Sequence, residues 1–221
     1  MFIKCSSNKT SKSHDGDKRI MGDVKASDIN SRRFVSINPD KCTGCGLCEY
    51  ACSLEKNGFP NPILSRIRVI HFTPLFNTAM TCRFCDDPPC VRACPRDALR
   101  QSEKGNLIIV DEEKCDGCGW CIQACPYGGL IMDPYKNVVA VCDLCGGEPK
   151  CVDSCPEEAL EIVSGDEEAD KAWVSSLENL PKELERLVNL IKKGDLSEIF
   201  MKAEERVKKL ERKLEELSMK K

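Results

Sequence analysis

Seventeen cysteines among 221 residues, with 41 % hydrophobic and 5 % aromatic content, leave too little apolar material for a large organic core, so the cysteines must organise the chain. Thirty-three Lys and Arg against 36 Asp and Glu give a formal charge of -3, too balanced for a protein that binds nucleic acid by neutralising phosphates. No run approaches the roughly 18 apolar residues of a membrane-spanning helix, which excludes bilayer insertion, and the polar start lacks the apolar core of an export signal, which makes the cytoplasm the expected compartment.

Residues 1–33 carry eight basic and four acidic side chains among Ser, Lys and Asn, a composition that predicts a disordered or partner-binding tail. Cys5 lies in this tail outside any ligand spacing and reads as a free thiol. Residues 34–165 then repeat a short apolar strand, a cysteine loop and a small helix, with strands expected at Phe34–Ile37, Ile67–Phe72, Asn106–Val110 and Val138–Val141. The first cysteine group is Cys42, Cys45, Cys48 and Cys52, spaced C-x2-C-x2-C-x3-C. Twenty-nine residues separate it from the next group, an insertion that either offers a partner surface or caps the first lobe. The second group, Cys82, Cys85, Cys90 and Cys94, lengthens the middle spacer to four residues, and the third, Cys115, Cys118, Cys121 and Cys125, repeats the first spacing. The fourth, Cys142, Cys145, Cys151 and Cys155, has a middle spacer of five. Pro95, Pro126 and Pro156 follow the last cysteine of three groups, and Ser53 stands there in the first.

After Gly165 the cysteines stop, and residues 166–221 read as a helical extension rich in Glu, Lys and Leu. Pro181 is expected in the first turn of a helix ending near Gly194, and Asp195 with Glu198 resembles a capping box. Leu196, Ile199, Ala203, Val207, Leu210, Leu214 and Leu217 then form a heptad-like seam that grips a partner or a second copy, or packs on the cysteine-rich body.

The spacing has a chemical reason. Three thiolates two residues apart can wrap one iron–sulfur cube while the fourth leaves on a helix, and in two-cluster ferredoxins that fourth cysteine ligates the other cluster. Motifs should therefore come in pairs, and four is even. Gly44, Gly46, Gly117 and Gly119 alternate with the ligands, where absent side chains permit left-handed turns. Disulfides would need an oxidising compartment, and zinc sites use two C-x2-C pairs across a longer loop, whereas each group here crowds four cysteines into 11 to 14 residues. Trp120, between two ligands, is expected to shield a cluster from water; Arg83, Arg92, Arg96 and Arg100 either raise nearby potentials or are simply solvated.

The series Cys42-Thr43-Gly44-Cys45-Gly46-Leu47-Cys48, Cys82-Arg83-Phe84-Cys85-Asp86-Asp87-Pro88-Pro89-Cys90 and Cys115-Asp116-Gly117-Cys118-Gly119-Trp120-Cys121 resembles the four-cluster electron-transfer subunits of the dimethyl sulfoxide reductase iron–sulfur family over residues 34–163. The stretch from Asp86 to Leu99, with Cys142-Asp143-Leu144-Cys145-Gly146-Gly147, most resembles the small subunits of tungsten aldehyde oxidoreductases. The resemblance implies an α+β, duplicated bacterial-ferredoxin-like fold of two lobes, each with two [4Fe-4S] clusters, followed by the C-terminal amphipathic helical extension. It pairs the first motif with the fourth: Cys42, Cys45 and Cys48 with Cys155, and Cys142, Cys145 and Cys151 with Cys52. It pairs the second with the third: Cys82, Cys85 and Cys90 with Cys125, and Cys115, Cys118 and Cys121 with Cys94. The protein is then no enzyme. Its four [4Fe-4S] clusters relay single electrons between a catalytic oxidoreductase large subunit, expected to carry a tungsten or molybdenum pterin, and ferredoxin or another carrier, within an anaerobic hetero-oligomer. The alternatives are a free polyferredoxin shuttle, or the same wire serving a carbon monoxide dehydrogenase, hydrogenase or formate dehydrogenase.

Overall fold

A computed structural model describes residues 32–73, 76–103, 106–194 and 197–219. In chain order these form β1 (Phe34–Ile37), α1 (Leu47–Asn57), a 3-10 turn (Pro62–Leu64), β2 (Arg68–Thr73), β3 (Phe76–Met80), α2 (Pro89–Arg92), β4 (Leu99–Gln101) and β5 (Ile108–Val110). There follow α3 (Trp120–Ala124), β6 (Leu130–Asp133), β7 (Val138–Val141), a second 3-10 turn (Leu144–Gly147), α4 (Lys150–Asp153), β8 (Leu160–Val163), α5 (Asp166–Lys193) and α6 (Ser197–Met219). The strands pair antiparallel as β1 with β8, β2 with β3, β4 with β5 and β6 with β7. The β1 to β8 ladder sets Phe34 opposite Val163 and Ile37 opposite Leu160, so the first and last strands of the cysteine-bearing region close on each other.

A six-residue phrase builds the region three times. Cys94-Pro95-Arg96-Asp97-Ala98-Leu99, Cys125-Pro126-Tyr127-Gly128-Gly129-Leu130 and Cys155-Pro156-Glu157-Glu158-Ala159-Leu160 each lead from a short helix into β4, β6 or β8. Proline halts the helix because it offers no N–H to continue the ladder. Asp97, Gly128 and Glu158 then turn the chain in the left-handed region, at φ of 50°, 60° and 50°. The next residue must be small: Ala98 and Ala159 are buried, and a Cβ on Gly129 would lie 2.6 Å from the Cys82 Cα. In the first group Ser53 has an N–H to give, and α1 runs on to Asn57, ended by Gly58 in the left-handed conformation.

The core is small and sulfur-rich. Phe34, Phe84, Leu99, Leu130 and Leu160 are buried together with Cys48, Cys52, Cys82, Cys90, Cys121 and Cys151. The insertion after Cys52 caps this core: Leu64, Ser65, Ile67, Phe76, Thr78 and Ala79 are buried, while Tyr50, Leu54, Phe59 and Ile63 stay exposed around it.

Strands β1 and β7 occupy the spans expected from sequence, β2 is shifted by one residue, and β5 begins at Ile108 rather than Asn106, which turns the hairpin at φ 55°. Four further strands, β3, β4, β6 and β8, pair with these. The helical extension differs more. A single helix, α5, begins at Asp166 and passes through Pro181, where a new helix was expected. An interior proline forfeits one backbone bond; here that carbonyl belongs to the exposed Leu177 and can meet water. Acidic Asp166, Glu167 and Glu168 at one end and Lys192 and Lys193 at the other suit the helix dipole, and Gly194 ends the helix as expected. Asp195 and Leu196 of the capping box and seam lie outside the described residues, as do Cys5 and all but the last two residues of the tail 1–33.

The first half of α5 is fastened to the body. Ala169 and Ser176 are buried, Trp173 meets Phe76 edge-on at 5.7 Å, and Arg32 grips Asp166 with two hydrogen bonds of 2.7 Å. On α6, Lys209 reaches Glu157 at 3.1 Å. Among the described residues no helix is long and apolar enough to cross a membrane.

Candidate metal centres

Helix packing decides which cysteines meet. α1, bearing Cys48 and Cys52, packs on α4, bearing Cys151, and α2, bearing Cys90, packs on α3, bearing Cys121. Cys42, Cys45 and Cys48 line one hollow together with Cys155, walled by Ile37 and Leu160. Burial, and then neighbouring thiolates, push the thiols up, and the neighbours report proximity. Cys155 acts on Cys42 and Cys48; Cys125 acts on Cys82, Cys85 and Cys90. Cys94 acts on Cys121, and Cys52 acts on Cys142, Cys145 and Cys151. Between groups, Cys48 neighbours Cys151, Cys142 neighbours Cys82, and Cys121 neighbours Cys90. Cys90 and Cys121 are pushed up to about 11, so at neutral pH a metal must displace their protons to be bound.

Backbone amides are aimed at the sulfurs. The Ala98, Gly129 and Ala159 N–H groups donate to Cys94, Cys125 and Cys155 Sγ at 3.3 Å each, four residues on, as the Cys-Pro phrase dictates. Cys52 lacks such a turn and receives the Arg66 N–H instead, also at 3.3 Å, delivered by the insertion. Cys82 and Cys142 accept from Phe84 and Leu144 at 3.4 Å. Phe84 and Leu144 sit at φ 49° and 54°, the left-handed turn that Gly44 and Gly117 make in the other two groups. Among the described residues the sixteen cysteines form no disulfide. Four thiols lining one hollow, with amides donating to sulfur, suit an iron–sulfur cube, whose sulfurs and thiolates accept such bonds. Among the described residues no three Cys, His, Asp or Glu side chains converge on the position of a single ion.

Charge is distributed unevenly around these groups. Asp143, between Cys142 and Cys145, is held by Lys56 at 2.7 Å and Arg66 at 2.8 Å. These partners, with a backbone N–H from Cys145, outweigh burial and keep its carboxyl below the usual range. Neither cation was singled out from sequence, because both lie in the insertion, remote from the fourth motif. Arg83 pairs with Asp170 at 3.0 Å and stacks on Tyr127, Arg92 pairs with Asp87 and Arg96 with Asp116, and Arg100 is exposed. Trp120 opens α3 beside Gly119 and is 62 % exposed. His71, hydrogen-bonded to Asn77 at 2.6 Å, lies against Gly44, as Asn137 lies against Gly117. Any side chain at either glycine would collide there.

Residues 74–165 match the family model described as 4Fe-4S dicluster domain, and residues 33–54 that described as 4Fe-4S binding domain. Over 141 residues the protein is 48 % identical to the polyferredoxin-like subunit of aliphatic sulfonate oxidoreductase from Pyrococcus furiosus, a match covering 62 % of its own length and 82 % of that subunit. It is 35 % identical over 150 residues to one of the polypeptides of anaerobic dimethyl sulfoxide reductase from Escherichia coli, covering 59 % of its own length and 73 % of the relative. A stretch of similar extent, 60 % of the sequence, is 36 % identical to the putative oxidoreductase AegA of Escherichia coli but spans only 22 % of that protein.

Proposed function

This protein belongs to the 4Fe-4S ferredoxin-like family of oxidoreductase iron–sulfur subunits, and on that premise we propose that it is a four-cluster wire between a catalytic large subunit and ferredoxin or another carrier. It is an electron-transfer subunit without catalysis of its own. Bound [4Fe-4S] clusters supply one-electron redox chemistry with no bond made or broken in a substrate. The protein's part is to hold them in series, to fix their potentials and to keep water out.

Cys42, Cys45, Cys48 and Cys155 hold one cluster in this reading, and Cys142, Cys145, Cys151 and Cys52 the next. Cys82, Cys85, Cys90 and Cys125 hold the third, and Cys115, Cys118, Cys121 and Cys94 the fourth. The observation that carries it is the hollow lined jointly by Cys42, Cys45, Cys48 and Cys155, which come from opposite ends of the domain. The neighbour relations of Cys48 with Cys151, Cys142 with Cys82 and Cys121 with Cys90 support that order along the wire. The α1 to α4 and α2 to α3 pairings support the two-lobe, duplicated reading of the fold.

The partner in this proposal is a cytoplasmic tungsten or molybdenum pterin enzyme, in a hetero-oligomer. The relatives named as a subunit of a sulfonate oxidoreductase and as part of a dimethyl sulfoxide reductase support a catalytic partner. Metal analysis of the complex purified without oxygen tests the whole. About 16 irons per polypeptide, with tungsten or molybdenum in the same peak, is the expected result. Nickel would reassign the wire to a dehydrogenase or hydrogenase, iron in an unpartnered polypeptide would make it a free shuttle, and zinc without iron would overturn it.

A further inference from the structure

The outer face of α5 is apolar and bare. Val174, Leu177, Pro181, Leu184, Val188 and Ile191 follow one another at spacings of 3, 4, 3, 4 and 3 along it, a heptad seam about 26 Å long at 1.5 Å per residue. Val174, Leu177, Leu184, Val188 and Ile191 are 54, 52, 46, 47 and 67 % exposed. No residue after Ser176 is buried among the described residues. Helices of this length in water draw most of their stability from packing an apolar face, and among the described residues nothing covers this one.

A row of charges runs beside the seam. Lys171, Glu178, Glu185 and Lys192 stand seven residues apart, all exposed and in no ion pair among the described residues. Both rows are palindromic, and that distinguishes two possible occupants. A second copy laid antiparallel would match the seam residue for residue, Val174 with Ile191, Leu177 with Val188 and Pro181 with Leu184. The same pairing brings Lys171 to Lys192 and Glu178 to Glu185 across the joint, like charge against like along its whole flank. Such juxtaposition discourages the wrong partner. The face is also small, roughly 260 Å² for a strip about 10 Å wide, against about 800 Å² per side in a stable interface.

We propose that this face receives one amphipathic helix of a different polypeptide, carrying its own heptad seam flanked by charges in the order acidic, basic, basic, acidic. Because the row is palindromic, the helix satisfies it in either direction. The area makes this a clamp for a partner that also touches the cysteine-rich body, and nothing in it depends on which metal the cysteines hold.

The test uses the full-length, metal-loaded protein under anaerobic conditions and two labelled synthetic helices of three heptads with identical leucine seams, one flanked in the complementary order and one with every flanking charge inverted. Fluorescence anisotropy is expected to show at least tenfold tighter binding of the complementary helix. The double variant Glu178→Lys/Glu185→Lys, which leaves four basic residues in the row, is expected to erase the preference between the two helices, and Val188→Glu, on the exposed seam, to abolish binding with helix content by circular dichroism unchanged. Equal binding of both helices would overturn the charge rule, and binding of neither would overturn the docking face. A dimer in light scattering that Leu184→Glu dissolves would assign the face to a second copy instead.

Discussion

Single residues set the environment of each thiol group, and the fourth motif shows it most clearly. Lys56 and Arg66, with side chains 15 % and 26 % exposed, share the one carboxylate of Asp143 beside Cys142 and Cys145. Two cations on one anion leave a net positive charge there, and positive charge favours the reduced, more negative form of an iron–sulfur site. Replacing Lys56 by Met, which keeps the packing of the stem, is expected to lower the midpoint potential of the cluster assigned to Cys52, Cys142, Cys145 and Cys151 by on the order of 50 mV. A redox titration followed by electron paramagnetic resonance reads this directly. An unchanged potential would mean that the charge is fully screened. Spacing singled out sixteen cysteines as candidate ligands, but it was silent on Lys56 and Arg66, which reach the fourth motif because the insertion folds over it.

At the scale of the element, one residue decides how a helix ends. Proline after the last cysteine stops α2, α3 and α4 after four or five residues, whereas α1 runs for eleven because Ser53 replaces it. Ser53 is wholly buried; its hydroxyl donates to the Tyr50 carbonyl and accepts from the Asn61 N–H, both at 3.0 Å. That second bond draws the insertion back over α1, so that Arg66 can donate to Cys52. Ser53→Pro is expected to cost about 3 kcal/mol or more and to release iron, while Ser53→Ala should cost about 1 kcal/mol. Thermal unfolding of the anaerobic protein with parallel iron assays separates the two, and a proline variant as stable as the parent would show that the insertion is held elsewhere. The serine and three prolines were visible in the sequence, as were the four strands with clear apolar runs. Strands β4, β6 and β8 were not, although at three or four residues each they match the lengths of β1, β5 and β7; their signal is the repeated Cys-Pro phrase with its small residue before leucine. Pro181 misled for a related reason: proline marks a helix start only where the preceding carbonyls are not already committed, and α5 tolerates it on an exposed face.

Across the whole molecule, chain order and spatial order diverge. The second and third motifs are neighbours in sequence and, through α2 and α3, in space, while the first and fourth, far apart in sequence, meet where β8 returns to β1 and α4 packs on α1. If last ligands are exchanged, Cys94→Ser and Cys115→Ser should erase the same spectral component although they belong to different motifs. Loss of two different components would refute the exchange. The return of β8 has a further consequence. With Phe34 facing Val163, the cysteine-bearing region enters and leaves its fold at one place, so a gene segment encoding it can be spliced into a host protein without stretching either junction. Evolution could thus lend the same unit to small subunits and to much longer polypeptides as a cassette, leaving helices such as α5 and α6 to be added at the exit as each lineage required.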